Sequence, residues 1–189
     1  MIKNLIIFGS PGAGKGTQAN LIASKYDLTH LSSGDILRQA VASGDELSQK
    51  IQEFQKRGEL VPDELIIKIF QDYLAKLNCQ NFILDGYPRT LAQAISLDKF
   101  LQEKPITAVI SLELPEEEAI KRIILRGESS GRIDDNETVA KKRLAVYSEQ
   151  SLPLLDYYGK QGKVANIDGR PKIEDIFVKI SAALDQLNS

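Results

Sequence analysis

Short apolar runs alternate along this chain with longer stretches whose apolar residues recur at helical spacing. The first run, NLIIFG, carries no charge and ends in glycine, which is typical of a strand buried on both faces of a parallel sheet. Similar short runs occur in LTHLSS, NFILDG, ITAVISLEL and KVANID. The alternation predicts an α/β fold: a parallel sheet with helices on both faces and ligands at the carboxyl ends of the strands.

The stretches between the strands predict the helices. The first covers about residues 14–25, and two more form a helical insert at about residues 32–61, with Ser32 or Ser33 as the N-cap and Gly58 as the stop. Later, PEEEAIKRIILRG predicts a helix followed by a short glycine-flanked segment at about 127–135. One long helix is then expected from about Glu137 to Tyr158.

Composition indicates one soluble globular domain over residues 1–189. The chain is 42% apolar and 26% charged, and it has no apolar run long enough for a bilayer. We expect a cytoplasmic protein, because no secretory signal is visible and Cys79 is the single cysteine. The net charge of −2 shows no basic excess. A small ligand is therefore expected, with no nucleic acid or membrane as partner.

The strongest motif follows the first strand directly. Gly9, Gly14 and Lys15 fit G-x-x-x-x-G-K between a strand and a helix, the context that a P-loop requires. Such a loop turns successive N–H groups toward phosphate oxygens, and its lysine reaches the terminal phosphates. Gly16 follows the lysine and the hydroxyl comes one residue later, at Thr17, so the pattern does not favour direct magnesium ligation by that hydroxyl. A nucleoside triphosphate is the expected ligand.

Other charged residues indicate what happens to the nucleotide. Asp85 ends a strand, where a carboxylate can hold magnesium-bound water, although an Asp there also suits a turn. Arg89, four residues after Asp85, could clamp an acceptor phosphate, and Arg38 is a further arginine near a helix start. Four further arginines surround the glycine-flanked segment, and taken alone they fit either an anion site or a solvated basic face: Arg122, Arg126, Arg132 and Arg143.

Together these motifs resemble those of one known family. GSPGAGKGTQ, LSSGDILR, GELVPDE, ILDGYPRT, RGESSGRIDDN and KKRL stand in the order and approximate spacing found in adenylate kinases, so the chain resembles that family from Ile2 to about Asp168. The resemblance implies Mg²⁺-dependent transfer between ATP and AMP to give two ADP, which keeps adenine nucleotides in balance. It also implies a nucleoside monophosphate (NMP)-binding insert and a short lid. A lid this short implies no zinc, and the family expectation is a monomer.

The resemblance implies a role for each matching residue. Asp85 and Asp35 would lie near the magnesium water shell, with no direct metal ligand from the protein. The ATP-binding residues would be Gly12, Ala13, Gly14, Lys15, Gly16, Thr17, Arg126 and Pro171. The AMP-binding residues would be Ser33, Arg38, Glu59, Leu60, Val61, Gly86, Tyr87, Pro88, Arg89, Gln93, Arg132 and Arg143. The catalytic residues would be Lys15, Arg38, Arg89, Arg122, Arg132 and Arg143.

Two alternatives stay open at this point. Uridylate-cytidylate kinases resemble the same plan, but Ser33 and Thr90 favour adenylate, and the Gln93 amide suits the donor and acceptor edge of adenine. The other alternative is a P-loop module that binds nucleotide without consuming it. Such a module would leave Arg38, Arg89 and Gln93 without a role.

Overall fold

A parallel sheet forms the centre of the computed structural model, which describes residues 3–42, 46–130 and 135–187. Its strands are β1 (Asn4–Gly9), β2 (Thr29–Ser32), β3 (Phe82–Asp85), β4 (Ala108–Glu113) and β5 (Val164–Asp168). They lie in the order β2, β3, β1, β4, β5, and each neighbouring pair is parallel. The predicted α/β class and the five predicted strands are confirmed.

Helices connect the strands. Between β1 and β3 lie α1 (Lys15–Tyr26), α2 (Ser33–Ala42), α3 (Glu46–Arg57) and α4 (Asp63–Lys76). The second half of the chain contributes α5 (Leu91–Leu101), α6 (Glu116–Ser130), α7 (Glu137–Val146), α8 (Pro153–Gly159) and α9 (Ile173–Leu187). In the part of the chain that is described, no helix combines the length and the apolar character needed to cross a bilayer.

Two apolar layers hold these helices on opposite faces of the sheet. Along β1, Leu5 and Ile7 belong to one layer, whereas Ile6 and Phe8 belong to the other. This follows from the two-residue period of a strand, which sends successive side chains to opposite faces. Helices α1 and α9 supply the first layer, and α4, α5 and α8 supply the second. The uncharged run that opens the chain is therefore the fully buried central strand.

The sheet register brings three strand ends together. Asp85, the last residue of β3, lies opposite Ile7 of β1 on one side and opposite Ser32 of β2 on the other. On one side of β1 the chain places β3 and β2, and on the other side it places β4 and β5. The connections from β1 therefore run in opposite directions along the sheet. In open parallel sheets a ligand crevice forms at such a reversal, outside the carboxyl ends of the strands.

Two predicted helix boundaries differ from the structure. Helix α6 continues through Gly127 to Ser130, so the predicted lid segment 127–135 begins inside a helix. The reason for the glycine is close packing, because a Cβ on Gly127 would collide with the backbone carbonyl of Asp135. Residues 131–134 lie outside the described part of the chain.

The predicted long helix from Glu137 to Tyr158 is also wrong as one regular element. A π turn (Tyr147–Ser151) separates α7 from α8, and Leu152 N–H donates to the Tyr147 carbonyl across it. Pro153 begins α8. Proline has no N–H and its ring collides with the preceding turn of a regular helix, so a wider turn ahead of it relieves the conflict.

Candidate active site

The P-loop has the backbone that its glycines predict. Gly9, Gly12 and Gly14 all have positive φ, and α1 begins directly after Gly14. Gly12 has no room for a side chain, because a Cβ would lie 2.6 Å from the Ala119 carbonyl oxygen of α6. The loop is therefore held between β1 and α6, at the amino end of a helix whose dipole favours anions.

Lys15 reaches back over this loop. Its Nζ donates hydrogen bonds to the carbonyl oxygens of Gly9 (2.8 Å) and Ser10 (2.9 Å). The residue as a whole is only partly buried, but burial of the ammonium group lowers the pKa of Lys15 to about 8. The Asp85 carboxylate opposes that shift, and the Arg89 guanidinium adds to it. The ammonium thus lies inside a cluster of cations that a polyphosphate would neutralise.

A cavity of about 500 Å³ opens in front of the P-loop. Its walls come from the strand ends, from the predicted insert and from the arginine-bearing helices α6 and α7. Most of the predicted site residues line it: Gly12, Gly14, Lys15, Gly16, Thr17, Ser33, Asp35, Arg38, Glu59, Leu60, Val61, Asp85, Gly86, Arg89, Gln93, Arg122, Arg126 and Arg143.

Three arginines approach the cavity from α6 and α7. Arg126 holds the Asp135 carboxylate with two hydrogen bonds, of 2.6 and 2.7 Å, and Arg143 donates to the same carboxylate at 3.2 Å. The Asp135 side chain has no solvent exposure. Arg122 is held by Glu118 at 2.8 Å and by the Gly169 carbonyl at 2.9 Å. These contacts set where the guanidinium groups stand beside the cavity.

Unlike these arginines, the neighbouring lysines do not line the cavity. Lys141 pairs with the exposed Glu137, and Lys142 pairs with Glu59 at 2.9 Å. Lys121 is exposed. The sequence alone left open a purely solvated basic face, and the structure instead places Arg122, Arg126 and Arg143 against one cavity.

The opposite wall carries a second set of basic and polar groups. Arg89 donates from Nε to the Gly86 carbonyl at 2.7 Å and from Nη2 to the Ser33 hydroxyl at 3.1 Å. Arg38 pairs with Asp35 at 2.5 Å. Gly86 has positive φ, and a Cβ there would lie 2.5 Å from the Ser33 hydroxyl oxygen. The tight turn after β3 therefore brings Arg89 against α2.

The Asp85 carboxylate lines the cavity beside the P-loop. Its Oδ2 lies 3.4 Å from the position of a Cβ on Gly16, directly beside the start of α1. His30 Nε2 approaches the same oxygen at 3.4 Å, while His30 Nδ1 contacts the Asn20 side-chain oxygen at 2.8 Å. Magnesium keeps most of its waters and takes few protein carboxylates, so this single strand-end Asp fits it. Among the described residues there is no cluster of three or more His, Cys, Asp or Glu side chains suited to a metal ion.

A few predicted residues stand apart from the cavity. Pro171 is not part of its lining, although Arg122 holds the loop just before it. Ala13 is buried. The Tyr87 ring stacks on Phe70 in the core, with 4.1 Å between the ring centroids. Both residues could therefore contact a ligand only through the backbone. Pro88 lines a smaller neighbouring cavity. Arg132 lies outside the described residues.

Two carboxylates at the site were not anticipated from the sequence. Asp135 is the buried partner of two arginines. Asp63 accepts hydrogen bonds from Thr90 and Gln93. The repeated acids of RIDDN and the acid after Pro62 were the available signals. Neither signal could reveal partners that the fold brings from elsewhere in the chain.

Comparison with known proteins decides the family. A family model described as adenylate kinase matches residues 7–163. The chain belongs to the adenylate kinase family. The resemblance seen in the motifs is thereby confirmed, and the family supports a phosphotransferase that acts on nucleoside monophosphates, with adenylate kinase function.

Curated members of this family match nearly the whole chain. An adenylate kinase of Archaeoglobus fulgidus is 43% identical over 216 residues, covering 98% of this chain and 100% of its own. One from Phocaeicola vulgatus is 44% identical and covers 97% and 99%. One from Cyanothece sp. is 46% identical and covers 97% and 95%. The family relationship thus extends over both walls of the cavity.

Proposed function

We propose that this cavity binds ATP and AMP side by side and transfers the γ-phosphoryl group of ATP to the AMP phosphate, giving two ADP. The observation that carries the proposal is the pairing of two cationic sets across one cavity. One set is the P-loop with Lys15, and the other is formed by Arg38 and Arg89. A module that only bound nucleotide would need the first set alone.

On the donor side, the N–H groups of the P-loop hold the ATP phosphates, and Lys15 follows the γ-phosphoryl group. Arg126 lies toward the ATP base. On the acceptor side, Arg38 and Arg89 hold the AMP phosphate, Ser33 and Gln93 contact its base, and the backbone of residues 59–61 and 86–89 forms the walls. These roles are taken from the family motifs, and they are supported by the fact that Lys15, Ser33, Arg38, Arg89, Gln93 and Arg126 all line one cavity.

The transfer itself requires charge stabilisation more than covalent chemistry. An AMP phosphate oxygen forms a bond to the γ-phosphorus while the bond to the β,γ-bridging oxygen breaks, and no protein nucleophile takes part. Arg122, Arg132 and Arg143 stabilise the negative charge spread over the transferred group. Bound Mg²⁺ would neutralise phosphate charge, with Asp85 holding its water shell; Asp35 would help after releasing Arg38.

Water must be kept from the transferred group, since hydrolysis would otherwise compete with transfer. We therefore propose that the insert at about 32–61 and the short lid at about 127–135 close over the nucleotides within one domain. A cytoplasmic monomer that needs no zinc and has neither membrane nor nucleic acid as a partner completes the proposal.

The test is an acceptor panel. The purified protein is incubated with magnesium-ATP and one of AMP, CMP, UMP or GMP, or with no acceptor, and products are separated by chromatography. We expect rapid ADP formation with AMP and no free phosphate. Preference for CMP or UMP would overturn the adenine assignment, and phosphate release without an acceptor would overturn the transfer.

The lowered pKa of Lys15 predicts a pH dependence. The lysine is charged below about pH 8 and neutral above it, so attraction for the ATP phosphates is lost as pH rises. We expect kcat/KM for ATP to fall above about pH 8, approaching tenfold per pH unit, because this parameter reports the free enzyme. Steady-state rates at ATP and AMP concentrations well below their KM values, between about pH 6 and pH 10, measure it for the enzyme without bound nucleotide.

The matched variant is Lys15→Arg, whose guanidinium stays charged throughout this range. Its overall rate should be lower, but the decline near pH 8 should disappear. An unchanged decline in Lys15→Arg would assign the titration to another group.

A further inference from the structure

A closed set of hydrogen bonds surrounds the Gln93 side chain. Its Oε1 accepts from the Arg89 backbone N–H at 2.7 Å, and its Nε2 donates to Asp63 Oδ1 at 2.7 Å. The other Asp63 oxygen, Oδ2, accepts from the Thr90 hydroxyl at 2.8 Å. The Thr90 oxygen in turn accepts from the Gln93 backbone N–H at 3.2 Å as the cap of α5.

This arrangement fixes which end of the amide is which. A backbone N–H can only donate, so the atom facing Arg89 must be the amide oxygen. A carboxylate can only accept, so the atom facing Asp63 must be the amide nitrogen. Gln93 is 2% exposed, and a rotated amide would place two donors together and two acceptors together with almost no water to relieve them. One orientation is therefore strongly favoured.

The orientation matters for base selection. An amide can read adenine by accepting from the 6-amino group and donating to the neighbouring ring nitrogen. A 6-oxo purine carries an acceptor in place of that amino group and requires a donor opposite it. Gln93 lines the cavity and, besides the bonds above, retains one N–H and one lone pair for a base. Whichever amide orientation is held decides which purine is accepted.

We infer that Asp63 is a specificity-determining residue, which acts by holding the Gln93 amide in the orientation that accepts a 6-amino base and rejects a 6-oxo base. Asp63 acts through Gln93 and is a positioning residue. It stands in the first turn of α4, two residues after the Glu59 to Val61 wall, so it also ties that wall to α5. The inference rests on the proposed function, because it concerns the acceptor base of that reaction.

The test compares AMP with IMP, which differ at position 6 in the required way. We expect Asp63→Ala to raise the KM for AMP about tenfold, the scale of losing one hydrogen bond to a charged group. The ratio of kcat/KM for AMP to that for IMP should fall at least as much. The KM for ATP and the kcat at saturating AMP should change by less than about threefold.

Two further variants separate positioning from general damage. Asp63→Asn can still accept from Gln93 through Oδ1 while donating to the Thr90 oxygen, so it should restore most of the AMP preference. Asp72→Ala removes an exposed carboxylate from the same helix and should leave all parameters unchanged. The AMP to IMP ratio does not depend on how much protein is folded, so a destabilised variant still reports it.

Equal losses for AMP and IMP in Asp63→Ala, or failure of Asp63→Asn to recover the preference, would overturn the inference and leave Asp63 with a structural role only. Failure of the proposed function looks different: the unaltered protein would then form no ADP from ATP and AMP.

Discussion

Replacing Lys15 with methionine is expected to lower kcat/KM for phosphoryl transfer by a factor on the order of 10³, which is the scale of removing one preorganised donor to transition-state charge. Methionine has a similar length but no charge. The lost ammonium stands at the P-loop, within the fields of Asp85 and Arg89. A coupled assay of ADP formation over a range of ATP and AMP concentrations measures the effect.

Stability should change little in Lys15→Met, because removing a partly buried cation also removes its desolvation cost. Lys25→Met is the control: Lys25 is an exposed lysine in the last turn of the same helix, α1. It should retain full activity. If Lys15→Met kept activity within tenfold of the unaltered protein, a phosphate role for the lysine would be wrong.

Asp135→Ala is expected to lower the free energy of unfolding by about 3 kcal/mol, the range for removing one partner of a buried ion pair. The cause is the loss of a carboxylate with no solvent exposure, which removes one ionic partner from both Arg126 and Arg143. For a chain of this size the melting temperature should fall on the order of 10 °C. Activity should fall as well, because both arginines lose the contact that positions them beside the cavity.

Thermal melting and urea titration measure the first effect, and rates taken well below the melting temperature measure the second. Glu137→Ala is the matched control, since Glu137 is an exposed carboxylate two residues further along that pairs with Lys141 on the surface. Exposed pairs contribute little, so its melting temperature should hardly move. Equal shifts in the two variants would contradict the role given to burial.

The sheet and the P-loop were predictable because their signals are local. An apolar run ending in glycine and followed by G-x-x-x-x-G-K fixes a buried strand, a turn and a helix start within neighbouring residues. The five strands were predicted from short apolar runs of this kind, and the structure confirms them. The Gly127 boundary was wrong because a glycine needed for close packing looks, in sequence, the same as one that ends a helix.

The carboxylates that organise the site were not predictable in this way. In the sequence, Asp63 is visible only as part of the GELVPDE motif and as an acid in the first turn of a helix, where the helix dipole stabilises a negative charge. Its partner Gln93 is thirty positions away and meets it through the packing of α4 against α5. A contact of that kind depends on the completed fold, so sequence pattern can name the amide but not the group that orients it.

The π turn between α7 and α8 determines which side of α8 faces the core. Each residue of an α-helix rotates the chain by about 100°, so a turn holding one additional residue changes the direction in which all later side chains point. Here that rotation directs Leu154 and Tyr158 into the core and lets the Ser151 hydroxyl reach the Arg89 carbonyl at 2.9 Å. Deleting any one residue of the turn would rotate α8 by about 100° and withdraw these side chains together. The number of residues in this turn is therefore constrained, because it determines which side chains of α8 face the core, whichever residues occupy the turn.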